Sequence, residues 1–226
     1  MTVPLLLAST SPARLALLRA SGVEPVLQAP GVDEDAAVAE AEAAAGAPLD
    51  AAATVQLLAR LKAEAVVAAG TDGAPFDGLV LGGDSAFELD GEVHGKPHDP
   101  EVALERWRRM AELGGGTLWS GHWLVDHRGG RRRGAAGAVA SARLTFADDL
   151  DPDELVAYVA TGEPLEVAGA FTIDGRAAAF ITHIEGTPSA VVGLSVPDLR
   201  RLVRGFGIGW HELWTADGAA ATPTAL

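Results

Sequence analysis

The sequence predicts one α/β domain with a central mixed β-sheet flanked by helices, and three observations lead there. Short apolar strand patterns alternate with amphipathic helical stretches through the first half of the 226 residues, whereas strand patterns dominate the second half. Neither an internal repeat nor a long linker divides the chain into independent units. Hydrophobic residues make up 48% of it, which is sufficient for a well-buried core. The domain is expected over residues 1–210, with residues 211–226 as a C-terminal tail that loosens after Trp214.

The elements follow in order. Residues 3–8 read as a short buried strand and not as a secretory signal, because a basic leader segment and a small-residue cleavage site are both lacking. Ser11 has the character of an N-cap with Pro12 in the first helical position, Leu15 and Leu18 on one face, and Gly22 as the stop. Residues 24–29 give a second strand that leads into Asp33-Glu34-Asp35. The alanine- and glutamate-rich residues 36–49 fit either a frayed helix or a mobile loop. Asp50 caps a long helix with Val55, Leu58, Leu61 and Val66 as its apolar stripe, and residues 71–78 form a turn-rich loop. Residues 79–83 are a buried-strand pattern ending at Asp84, followed by a hairpin over 87–94 around Asp90-Gly91. Asp99-Pro100 opens a helix to Leu113 that a glycine run, 114–116, ends. Residues 117–127 and 138–146 are strands joined by a glycine- and arginine-rich turn. A short helix from Asp151-Pro152 to Ala160, glycine-rich strand segments over 168–184, and a last helix from Pro197 to about Phe206 complete the chain.

Composition narrows the function. The formal net charge of −14 argues against polymeric nucleic acid or an anionic membrane as partner, and an apolar run of spanning length is missing. The absence of cysteine excludes disulfides, thiolate metal sites and a cysteine nucleophile, and a cytoplasmic setting is the expectation. An anionic substrate would need local positive charge or a divalent metal to overcome the surrounding field. Several motifs fail. The run from Gly91 to Gly95-Lys96 has one residue too few for a phosphate-binding P-loop, and Pro97 replaces its hydroxyl residue. A G-x-S-x-G nucleophile elbow and a dinucleotide-binding glycine pattern are both missing. His94 and His98 are separated by Gly95 and Pro97, which does not make a helical ligand pair.

What remains is a small set of charged residues. Fifteen arginines accompany only two lysines, Lys62 and Lys96, so these mark places where a compact, mobile ammonium is wanted over a planar guanidinium, or else two surface lysines spared by chance. Ser9-Thr10-Ser11-Pro12-Ala13-Arg14 is a strand-to-helix turn that suits an anion, with Arg14 as a clamp and a plain helix cap as the alternative. Asp84, at a Gly-Gly step closing an apolar strand, is placed to hold a metal or accept a proton from water; a turn aspartate is the bland alternative. Glu34 is a second such carboxylate or a solvated loop acid.

Taken together, Leu7-Ala8-Ser9-Thr10-Ser11-Pro12-Ala13-Arg14, Val32-Asp33-Glu34, Leu58-Ala59-Arg60-Leu61-Lys62-Ala63, Gly83-Asp84-Ser85, Gly95-Lys96-Pro97, Ala168-Gly169-Ala170-Phe171 and Val192-Gly193-Leu194 resemble, in order and spacing, the Maf family of septum-formation-inhibitor-like nucleoside triphosphate pyrophosphatases. The resemblance covers roughly residues 5–206, and Trp119-Ser120-Gly121-His122 and Glu185-Gly186-Thr187-Pro188-Ser189 resemble the actinobacterial branch. It implies an elongated fold with an active site in a cleft, often dimeric, and Mg²⁺- or Mn²⁺-dependent cleavage of a nucleoside triphosphate to monophosphate and pyrophosphate. It further implies Asp84 as proton acceptor, Glu34 and Asp84 as metal carboxylates, and Lys62 and Lys96 with Ser9, Ser11 and Arg14 around the triphosphate. Asp174 would then meet the base where one branch carries glutamine; an aspartate suits the N1–H and amine of guanine better than a pyrimidine edge. Ala13 departs from the family, many members of which have arginine there, and Ser85 replaces a common threonine. The alternative is a nucleotide-binding regulator of division or stress that has lost catalysis.

Overall fold

A computed structural model describes residues 2–71 and 73–215. Its organising element is β3 (Leu79–Leu89), an eleven-residue strand that is buried for most of its length. On one side β3 pairs in parallel with β1 (Leu5–Ala8), which pairs in parallel with β2 (Val26–Gln28). On the other it pairs antiparallel with β5 (Gly115–Asp126), followed by β6 (Gly134–Phe146) and β7 (Ile181–Gly186). A short β4 (Glu92–His94) folds back on the end of β3. The result is a seven-stranded mixed sheet, six strands in the order β2-β1-β3-β5-β6-β7 and β4 off that path on β3, which is the predicted class.

Helices cover both faces. They are α1 (Pro12–Ala20), α2 (Glu34–Ala45), α3 (Ala51–Ala69), α4 (Pro100–Leu113), α5 (Pro152–Ala160), α6 (Pro188–Val192) and α7 (Val196–Gly205). Most starts are chemically specified. Ser11, Asp33, Asp50, Asp99, Asp151 and Ser195 each accept a backbone N–H from the first turn, and Pro stands at the N-terminus of α1, α4, α5 and α7.

The sheet joins separate apolar clusters. Leu5, Leu7, Leu79, Leu81 and Leu124 pack under α1 and α7, with Leu18, Leu199 and Val203, and Leu6, Val80 and Val125 pack under α3, with Ala63 and Val66. Beyond Asp84, Phe87 and Leu89 enter an aromatic cluster with Trp107, Phe146, Tyr158 and Phe171, whose rings meet edge to face. The cleft lies between these bodies.

Helix α3 approaches the sheet unusually closely because Gly82 and Gly121 present bare backbone to it. A Cβ at Gly82 would overlap the Ala59 carbonyl oxygen and lie 2.8 Å from the Ala63 nitrogen, and one at Gly121 would overlap the Val55 carbonyl. Since backbone cannot rotate away, Gly82→Ala is expected to cost about 3 kcal/mol of stability, the upper end for overpacking. Denaturant unfolding checks this; a midpoint equal to the parent's would refute the close-packing account.

The structure departs from the sequence expectations at four places and, within residues 36–49, resolves an open alternative in favour of helix. Asp84 does not end a strand but sits in the middle of β3, because antiparallel pairing with β5 carries the strand past it through Glu88↔Thr117. Residues 36–45 are helical as part of α2, with Asp33 bonded to the Ala36 N–H. Residues 168–180 are two 3₁₀ turns and a loop, and only Ile181–Gly186 is strand. Leu61 is half-buried at the side of α3, and Lys62 occupies the buried stripe with Leu58, Ala59 and Val66. Gly115 and Gly116 belong to β5, only Gly114 serving as the αL cap of α4. Near the C-terminus, Trp210–Leu213 form a 3₁₀ turn, with Leu213 buried and the Glu212 carbonyl accepting from the Val3 N–H. The expected loosening beyond Trp214 lies, from residue 216 on, outside the described residues.

Candidate active site

Parallel pairing of β1 with β3 ends at Ala8↔Gly82, so Ser9 and Asp84 emerge side by side at the carboxyl end of the parallel strands. A cavity of about 1300 Å³ opens there. All eight residues singled out from the sequence line it: Ser9, Ser11, Arg14, Glu34, Lys62, Asp84, Lys96 and Asp174.

At its floor, the Lys62 ammonium donates to Asp84 Oδ1 at 2.7 Å and lies 2.8 Å from Glu34 Oε1. Helix α3 carries the lysine inward from a stripe that is otherwise apolar, and Glu34 reaches it from the first position of α2. The Lys62 and Asp84 side chains are about a tenth exposed or less, whereas that of Glu34 is half exposed. Burial pushes the Asp84 carboxyl above its ordinary range, and the opposing fields of Lys62 and Arg14 do not cancel the shift. A carboxylate so held has enhanced proton affinity while still lying against a cation.

Arg14 is buried beside this pair. Its Nε donates to the Gly193 carbonyl at 2.8 Å, and its two terminal nitrogens donate to Ser9 Oγ at 3.2 Å and Ser85 Oγ at 3.0 Å. Burial lowers the guanidinium's proton affinity, and Asp84 and Glu34 act in the opposite sense. Ser120 Oγ donates to the Ala190 carbonyl at 2.8 Å, so the 2.9 Å contact between the two serines is donated by Ser85. A directed chain therefore runs Arg14, Ser85, Ser120, Ala190. Arg14 is a fixed cation and not a swinging clamp. The Ser9-to-Arg14 turn is internally satisfied as well, with the Ser11 N–H on Ser9 Oγ and the Arg14 N–H on Ser11 Oγ.

Lys96 sits differently. Its side chain is half exposed at the rim, 3.8 Å from Glu166, which also holds His98 Nδ1 at 3.1 Å. Asp174 lies on the 171–174 loop that lines the same cavity.

Sequence reading passed over several members of this neighbourhood as chemistry: Ser85, Ser120, His122, His98, Glu163 and Glu166. A signal existed for three of them. Leu118, Ser120, His122 and Leu124 alternate along one face of β5, which puts two polar side chains between two buried leucines, and Ser85 faces Ser120 across the ladder. His122 is fully buried; its Nε2 accepts the Ser195 N–H at 2.8 Å, which fixes the N-cap of α7 and the turn after Gly193.

Burial holds the His122 imidazole down to about 4 from an ordinary 6.5. The folded state thus stays neutral at this ring where the unfolded chain takes up a proton, so stability falls as pH drops from about 6.5 towards about 4. The full shift corresponds to about 3 kcal/mol. His122→Gln keeps an acceptor for Ser195, and its unfolding free energy is expected to lack this part of the acid loss. Parallel denaturation of both proteins at about pH 7 and about pH 4.5 checks it; identical acid sensitivity would show that another group is responsible.

The point on which the two carboxylates converge is taken by the Lys62 ammonium, so a hard divalent cation such as Mg²⁺ would use their other oxygens and complete its shell with phosphate oxygens and water. Among the described residues, His, Cys, Asp and Glu form no group of three or more that could hold an ion unaided. The donor set therefore fits a metal that arrives with a phosphorylated ligand. Among the described residues no helix is long and apolar enough to cross a membrane.

Comparison with known proteins finds relatives over nearly the whole chain. The family model for Maf-like proteins matches residues 4–206. A protein named nucleoside triphosphate pyrophosphatase from Leifsonia xyli subsp. xyli is 62% identical over 217 residues, covering 96% of this chain and 99% of that one. Proteins of the same name from Nocardia farcinica and Streptomyces coelicolor are 48% and 46% identical, over 95% and 93% of this chain and 98% and 94% of theirs. With nearly the whole packed body matched, this chain belongs to the Maf-like protein family.

Proposed function

We propose that this chain hydrolyses nucleoside triphosphates to nucleoside monophosphate and pyrophosphate in the cleft between β3, α3 and the 171–174 loop. The observation that carries this reading is the Lys62 ammonium seated between Glu34 and Asp84, with Arg14 and Lys96 lining the same cavity. Relatives that align over almost their full length bear the pyrophosphatase name and support it.

Cleavage of a phosphoanhydride asks little covalent chemistry of the protein and much placement and charge neutralisation. Asp84, oriented by Lys62, accepts the proton of the attacking water as its oxygen bonds to the α-phosphorus and the bond to the α–β bridging oxygen breaks, pyrophosphate leaving. Lys62 keeps that carboxylate oriented and faces the developing negative charge. Arg14 supplies a preorganised positive charge that needs no rearrangement, and Lys96 supplies a mobile one at the rim. Glu34 and Asp84 would hold a Mg²⁺ or Mn²⁺ ion, which when bound lowers the pKa of water and offsets charge on the phosphates. Asp174 would read the base, its carboxylate accepting from the N1–H and exocyclic amine of guanine or a modified guanine. The cysteine-free composition supports a cytoplasmic setting, and exposed Val26 and Leu27 on the outer strand β2 support a homodimer.

The deciding experiment is a panel of canonical and modified nucleoside triphosphates with Mg²⁺ or Mn²⁺, scoring pyrophosphate directly. Pyrophosphate in equal amount to monophosphate is the expected result. Orthophosphate as the sole direct phosphate product would replace this reading with a phosphatase, and metal-independent binding without turnover would replace it with a regulator.

A further inference from the structure

The loop that carries Asp174 has little of its own to hold it in place. Among the described residues, 172–174 make no backbone-to-backbone hydrogen bond, yet Thr172, Ile173 and Asp174 all line the cavity. A recognition surface placed so loosely would discriminate poorly, because polar groups free to shift can re-pair with the wrong base. Something outside the loop must fix it.

That anchor is a single carboxylate. Glu163, just after α5, receives the Thr172 hydroxyl at 2.7 Å, the Arg176 N–H at 2.9 Å and the Tyr158 hydroxyl at 3.2 Å, all on Oε1, and Arg176 pairs with its Oε2 at 3.2 Å. Its side chain is only 17% exposed, whereas Arg176 is largely in solvent. On the inner side Tyr158 is buried edge-on to Trp107, with ring centroids 5.5 Å apart, so the carboxylate ties the loop to the aromatic core. The chain closes tightly on it. A Cβ at Gly175 would overlap both Thr172 Oγ1 and Glu163 Oε1, so this turn admits only glycine while the carboxylate is in place. Burial acts against the charged form of Glu163, but the donors from Thr172 and Arg176 prevail and hold its carboxyl below the ordinary range.

We infer that Glu163 is the positioning residue for base selection: it never reaches the phosphates but fixes the loop bearing Thr172, Ile173 and Asp174 against the nucleobase. The inference rests on the nucleotide reading above and deepens it. Glu163 is absent from the cavity lining, and the phosphate end holds Arg14, Lys62 and Asp84 on other elements. Loosening the loop should therefore spread binding across bases and leave the hydrolytic step intact.

The test uses two independent lesions, Glu163→Ala and Gly175→Ala, the first removing the anchor and the second wedging the loop from it. Dissociation constants for the α,β-methylene analogues of ATP, GTP, CTP and UTP are measured by calorimetry, alongside thermal unfolding and kcat at saturating substrate. In both variants the ratio between the tightest and weakest analogue is expected to shrink by about fivefold or more, since discrimination comes from correctly placed hydrogen-bonding groups. Over the same variants kcat is expected to stay within about threefold, the pattern of lost binding and not lost chemistry. Should Glu163→Ala fail to fold, Glu163→Met keeps most of the volume without a carboxylate or amide acceptor and serves in its place. An unchanged ratio in both lesions, equal affinities in the parent protein, or a fall in kcat with discrimination intact would each overturn the assignment. Absence of pyrophosphate release by the parent would count against the hydrolase reading alone, because the affinity ratios are read without turnover.

Discussion

Asp84→Asn is expected to lower kcat for pyrophosphate release by about 10³-fold, within the range that a positioned general base contributes. The amide keeps the shape of the side chain and its oxygen can still accept from Lys62, but it cannot take up a proton. Folding should tolerate the change well. Burial already disfavours the charged form of this carboxyl, and Lys62 retains Glu34 at 2.8 Å as a counter-charge. Thermal unfolding at or above that of the parent, together with collapsed turnover, would separate chemistry from structure. Turnover within about tenfold of the parent would remove Asp84 from the role of proton acceptor.

The lysines should divide in the same way, although both line one cavity. Lys62→Ala and Lys96→Ala are each expected to cost about 2–4 kcal/mol of transition-state stabilisation, comparable to removing a donor from an oxyanion site. Their effects on folding should differ. Lys62 is buried against a buried carboxylate, and deleting one member of such a pair costs about 3–5 kcal/mol of stability. Lys96 is half exposed and 3.8 Å from Glu166, an arrangement worth about 0–1 kcal/mol. Measuring kcat/KM and the unfolding midpoint for both variants checks the pair of statements together. If Lys96→Ala left turnover near normal, the rim ammonium would have no part in holding the phosphates.

Much of the fold could be read because its local signals were chemically unambiguous. Caps such as Ser11, Asp50 and Asp99 fixed the starts of α1, α3 and α4, and Asp90-Gly91 fixed a hairpin whose two central residues adopt positive φ. Misreadings fell where long-range pairing overruled local pattern. Gly82-Gly83-Asp84 looks like a strand end, but ten residues of β3 pair with β5, and the ladder carries the chain straight through. The 168–180 segment is apolar enough for a strand, yet Glu163 and the aromatic cluster hold most of it in turns.

For the cleft, composition did the work. With only two lysines in the chain, each invited attention, but that Lys62 and not Leu61 takes the buried stripe of α3 emerges only from the packing. Glu163 gave no such warning. Its importance lies in three donors arriving from residues 158, 172 and 176, and spacing in the sequence does not reveal that they converge.

The unbroken β3–β5 ladder has a mechanical corollary. It runs from Leu79↔Asp126 on one side of the cleft to Glu88↔Thr117 on the other, so the two bodies share a common spine. Swinging them about Asp84 like the halves of a clamshell would mean tearing several rungs at once. Whatever closes over a guest must do so at the periphery, where Lys96 stands half exposed at the rim, while the floor and the loop that Glu163 pins stay as stiff as a girder.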